Sequence, residues 1–155
     1  MNEAMREYLD AMGAPELLLS RIELLIGAYV ELLPESIAAH FVSEYLDEAD
    51  QRTFESLWLF SDHFAMEAKL LGADEDQFDF VPHKSGVRHV VVRKRGFDLR
   101  EADSGSRMSI EVWFADQRYG ILKATGANCE ALTAILRDHL LPNSCASDPS
   151  ATSPS

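Results

Sequence analysis

Met108, Ile110, Val112 and Phe114 occupy every second position, with Ser109, Glu111 and Trp113 between them. That alternation is the period of a half-buried β-strand. Asp116 and Gln117 follow, then Gly120, and Tyr119 to Thr125 runs extended again, so residues 106–125 predict a hairpin. Leu132, Ile135, Leu136 and Leu140 recur at the three-and-four spacing of one helical face. Asn128 is the expected N-cap of that helix and Pro142 its stop. The folded part of the chain is thus expected to end as strand, turn, strand, helix.

At the other end the spacing is helical. Residues 2–12 place Met5, Tyr8, Leu9 and Met12 on one face. After Gly13 and Pro15, a helix over 16–33 carries Leu18, Ile22, Leu25 and Tyr29 as a heptad-like seam. Leu17, Leu24, Ile26, Val30 and Leu33 widen the seam, so cover is expected on more than one side, by the domain or by a second copy. Pro34 is expected to open a further helix, buried through Ile37, Phe41, Val42, Tyr45 and Leu46. It should stop near Leu46, because the acidic run 47–50 opposes a helix dipole.

Residues 53–71 fit either period. The strand reading is preferred, with Leu57 to Phe60 and Phe64 to Met66 extended around a turn at Ser61-Asp62-His63. Phe78 and Phe80 suggest a short strand stopped by Pro82. Val87 to Arg95 is β-branched and then basic, with Gly96 as a bulge candidate. The tail 143–155 is rich in Ser, Ala and Pro and reads as disordered.

From residue 57 onward the order is several short antiparallel strands closed by one amphipathic helix. LWLFSDHFAMEA, FDFVPHKSGVRHVVV and IEVWFADQRYGILKATGANCEALTAIL resemble a bacterial pleckstrin-homology-type domain over about residues 57–141. The resemblance implies a small barrel plugged by helix 128–141, and binding of lipid head groups, peptides or proteins rather than catalysis. The basic loop of the lipid-reading members is missing, since Ser61-Asp62-His63 stands there. The expected class is therefore α+β: N-terminal helices over 1–50, an antiparallel pleckstrin-homology-like barrel or sheet over 54–141, and a capping C-terminal helix.

Composition narrows the partners. With 155 residues, 46% of them hydrophobic, the chain needs neither disulfides nor metal to fold. Its formal charge of −12 argues against nucleic acid and anionic membrane as partners of the whole molecule. Cys129 and Cys145 form no disulfide framework, and the start MNEAMREYLD is no signal peptide. Residues 17–33 are too polar to span a membrane. A cytoplasmic protein without cofactors is the expectation.

Against that acidity, residues 83–100 hold six Lys/Arg and one acid. Arg88, Arg93, Lys94 and Arg95 are the candidate anion-binding residues, and pairing with Glu111, Asp116 or Asp98 is the competing explanation. Other candidate chemistry is thin. The acidic stretch 74–79 lacks the spacing of a calcium loop. The histidines at 40, 63, 83, 89 and 139 show no zinc spacing. Ser61 and His63 are sequence neighbours rather than a triad, and Cys129 reads as a small buried hydrophobe. The sequence thus predicts a non-catalytic module that binds a protein or peptide, or self-associates, through Leu18, Ile22, Leu25 and Tyr29 and the aromatic-rich strands. An anion or lipid-head-group reader on the basic strand is the first alternative, and a small-ligand pocket or enzyme in the barrel interior the second.

Overall fold

A computed structural model describes residues 1–33, 35–70, 80–84, 86–95 and 106–141. The expectations for the acidic stretch 74–79, for Gly96 and Asp98, and for the tail lie outside them. The element order is α1 (Glu3–Ala11), α2 (Glu16–Leu32), β1 (Ala39–Leu46), β2 (Arg52–Phe60), β3 (Phe64–Lys69), β4 (Phe80–Lys84), β5 (Val87–Arg95), β6 (Arg107–Phe114), β7 (Tyr119–Thr125) and α3 (Asn128–Ile135). The strands form two antiparallel sheets, in the orders β1-β2-β3-β4 and β5-β6-β7. Helices, two such sheets and a C-terminal helix make an α+β arrangement. The pairing among the described residues leaves both sheets open, so no closed barrel forms. The chain divides into two compact units, Met1–Pro82 and His83–Ser155.

In the first unit α1 starts at Asn2, whose Oδ1 accepts from the Met5 amide at 2.8 Å and satisfies one free donor of the first turn. Leu9, Leu19, Ile22, Leu25 and Tyr29 of the two helices pack with Val42, Leu57, Leu59, Met66 and Ala68 of the sheet and with Leu70 just beyond β3. Rows of the sheet explain that selection: Val42 faces Leu57, which faces Ala68, and Leu59 faces Met66.

The helix expected after Pro34 is a strand instead. Its apolar residues Ile37, Phe41 and Tyr45 are spaced by four, which satisfies a two-residue and a 3.6-residue period equally. Pairing with β2, from Ala39↔Phe60 to Leu46↔Arg52, decides the matter. The acidic run that suits a helix end so badly is the hairpin turn. There Asp47 Oδ1 accepts from the amides of Ala49 and Gln51, both at 2.8 Å, and Asp50 sits at φ 57°. β1 and β2 thus pair along their length within one sheet. The strand reading of 53–71 agrees with β2 and β3, and Ser61 Oγ braces their turn by accepting from the Phe64 amide at 3.0 Å.

A buried polar contact ties α1 to this hairpin. Glu44, fully buried, accepts a hydrogen bond from the Tyr8 hydroxyl and another from Arg52 Nη1 at 2.8 Å. Burying a carboxylate without such partners would cost several kcal/mol.

In the second unit the expected hairpin is present, in register from Arg107↔Thr125 to Trp113↔Tyr119. Met108, Ile110, Val112, Leu122 and Ala124 are buried, as are Cys129, Leu132 and Ile135 of α3, which packs against β6 and β7. Beyond Ile135 the helix continues as a π-helical turn, Leu136–Leu140. Asn128 is not the side-chain cap expected: Ala127 holds the cap position, and Asn128 lies buried in the first turn. The Cys129 thiol, buried and 3.7 Å from the Ser106 carbonyl oxygen, is packed as a small hydrophobe.

Candidate binding face on the second sheet

The residues first expected to meet a partner are placed in the core. Ile22, Leu25 and Tyr29 have no exposed surface, and Leu18 is half-buried against them. The seam was read correctly as one face of α2, but that face covers the first sheet. The apolar residues of α2 left in solvent are Leu17, Leu24, Val30 and Leu32, at 71, 63, 61 and 65% exposure.

The four basic candidates do not form one cluster, because a strand sends alternate side chains to opposite faces. Arg93 lies opposite Ser109 and Arg95 opposite Arg107, on the outer face of the sheet. Lys94 lies opposite buried Met108 on the other face, at its exposed margin. Arg88 is the extra residue of a bulge between Val87 and His89.

The outer face can be read row by row. Its first row is His89, Trp113 and Tyr119. The rings of His89 and Trp113 are 5.2 Å apart and tilted by 52°, those of Trp113 and Tyr119 4.8 Å apart and tilted by 48°. Next come Val91, Glu111 and Ile121, then Arg93, Ser109 and Lys123, and finally Arg95, Arg107 and Thr125. Among the described residues, four cations and one carboxylate therefore share this face. Glu111 pairs diagonally with Arg93 at 2.6 Å, the cross-strand pairing the sequence offered as the competing explanation. The Tyr119 hydroxyl is pushed above its ordinary value by desolvation first and by the charge and hydrogen bond of Glu111 second, so it stays protonated at neutral pH.

At the turn end of this face lies a cavity of about 320 Å³ lined by Arg88, His89, Trp113, Phe114 and Gln117. The β6–β7 turn shapes it. The Phe114 amide donates to the Arg118 carbonyl at 2.8 Å and the Gln117 amide to the Phe114 carbonyl at 2.9 Å. Gln117 itself has φ 68°. Sequence reasoning found Arg88, Arg93 and Arg95 but missed Trp113, Tyr119, Arg107, Lys123 and Gln117. A register between β5 and the hairpin would have brought them together, and no local pattern supplies one.

Charge is also divided. Residues 1–82 hold four bases and eighteen acids, net −14, while residues 83–155 hold ten bases and eight acids, net +2. The −12 of the whole chain hides this difference.

The neighbouring Ser61 and His63 are both accounted for. His63 Nδ1 lies 2.6 Å from Glu35 Oε1, and Ser61 is committed to its turn, so the two do not pair as base and nucleophile. No group of three or more metal-ligating side chains occurs among the described residues. No helix among them is long and apolar enough to cross a membrane.

No known family's sequence profile matches this chain, and no curated protein matches it. Among solved structures the chain is similar to the pleckstrin homology domain from Shewanella amazonensis SB2B, with 13% identity and a TM-score of 0.46 over 75% of this chain and 96% of that one.

Proposed function

We propose that this protein is a non-catalytic binding module whose ligand is an acidic segment of a partner protein, held on the outer face of β5, β6 and β7. The observation that carries this reading is the union on one face of Trp113 and Tyr119 with Arg93, Arg95, Arg107 and Lys123. Trp, Tyr and Arg dominate the binding energy of protein interfaces, and four cations against one carboxylate among the described residues favour an acidic ligand. The net charge of +2 in residues 83–155 supports the same choice.

The test is binding of a fluorescein-labelled oligoglutamate to the full chain, followed by polarisation at rising salt. Affinity should fall steeply with salt, because exposed charges are screened beyond about 8–10 Å at physiological ionic strength. It should be lost with Arg93→Glu and Arg95→Glu together, and kept with Leu17→Ser and Leu24→Ser together. Binding that ignores salt and both arginines but disappears with the two leucines would move the site to α2 and end this reading.

A further inference from the structure

We infer that the cavity at the turn end of this face takes an aromatic side chain of the partner, four residues before the first of its acids. The inference rests on the acidic-partner reading and adds the anchor and its spacing.

The cavity is small. At about 320 Å³ it stands at the lower limit of ligand pockets, so it suits one ring rather than a large molecule. Its walls are chosen for a ring. His89 and Trp113 provide two aromatic surfaces, tilted by 52° to each other, while Phe114, buried and stacked on His83, closes the floor of the cavity. The bulge turns Arg88 out of the strand alternation and into the lining, where a guanidinium can lie over a ring.

Gln117 is a second, separate observation. Its φ of 68° is the left-handed conformation, which at this point of a three-residue hairpin loop favours glycine. A glutamine there is held at a cost, and it is one of the residues that line the cavity. Backbone cost of this kind collects at binding sites. The amide gives the cavity a hydrogen-bonding rim that glycine would remove.

The rows set the spacing. Side chains on one face of a strand recur every two residues, about 6.8 Å, and an extended peptide has the same repeat. With its ring in the cavity beside His89 and Trp113, a peptide lying along the strands meets Val91 and Ile121 two residues later. Four residues later it meets Arg93 and Lys123, and six residues later Arg95 and Arg107. The ligand is therefore an extended segment with an aromatic residue, an apolar residue two places on, and acids four and six places on.

The probe is the acetylated peptide Phe-Ser-Val-Ser-Glu-Ser-Glu, labelled at its C-terminus and titrated with the full chain. Burying one ring is expected to make it bind at least about tenfold tighter than the peptide with Ala for Phe. Gln117→Gly keeps the turn and should reduce that preference, as should Trp113→Ala. Equal binding of the Phe and Ala peptides, both dependent on their glutamates, overturns the anchor and leaves the acidic-partner reading standing. Failure of both glutamate peptides to bind overturns both. Displacement of the Phe peptide by an equal concentration of oligo-dT assigns the rings to bases and overturns the peptide anchor.

Discussion

Leu24 and Leu25 are neighbours in the sequence, and truncating each to alanine should have very different consequences. Leu25 has no exposed surface and packs in the core with Ile22, Tyr29, Leu57 and Leu59, whereas Leu24 is 63% exposed. Leu25→Ala removes buried methyl groups and leaves a cavity, at a cost of about 2–5 kcal/mol. Leu24→Ala deletes atoms that water already reaches and installs the best helix former, so it should change stability by no more than about 0.5 kcal/mol. Each kcal/mol shifts Tm by roughly 4–8 °C in a domain of 60–100 residues, so the contrast is easily read. The chain has two tryptophans, Trp58 in the first unit and Trp113 in the second. Urea unfolding followed by fluorescence in a Trp113→Phe background therefore reports the unit that contains α2. Solution mass by light scattering on both variants completes the comparison. Equal costs at the two positions, or a Leu25→Ala cost under about 0.5 kcal/mol, would refute the burial argument.

Three other outcomes follow from the same contacts. The Tyr29 hydroxyl is buried with no hydrogen-bond partner among the described residues, so Tyr29→Phe should stabilise the protein by about 1–3 kcal/mol in urea unfolding, and a loss of stability would mean the hydroxyl is bonded. Glu44→Ala leaves Arg52 and the Tyr8 hydroxyl without their shared acceptor, so a cost of about 3 kcal/mol is expected, and a change below about 1 kcal/mol would show that the contact contributes little. His40 and His83 are both held below the ordinary histidine value of 6.5, chiefly by desolvation. The unfolded chain then binds the extra protons, so stability present above about pH 6.5 is lost progressively as the pH falls through the lower folded-state values. His40→Gln with His83→Phe should flatten that decline in unfolding free energy, and an unchanged slope would exclude these two groups as its source.

Local periodicity alone was enough for α1, α2, the β6–β7 hairpin and the helix that follows it, because their patterns fit one period and not the other. Met108 to Phe114 alternates strictly, and Leu18, Ile22, Leu25 and Tyr29 follow the helical repeat. β1 was misread because Ile37, Phe41 and Tyr45 fit both periods, and the strand that settles the choice begins at Arg52. The sequence also marked an excess of basic residues around Arg88 to Arg95, but not which of them act together.

What the residues determined by themselves is thus the list of elements and the faces on which their apolar side chains lie. What only the tertiary structure decided is which side of α2 is core, which of the arginines share a surface, and that Trp113, Tyr119 and Gln117 stand beside them. Those outcomes depend on strand register, which is set by pairing between segments distant in the chain. A shift of one residue would turn every side chain to the opposite face.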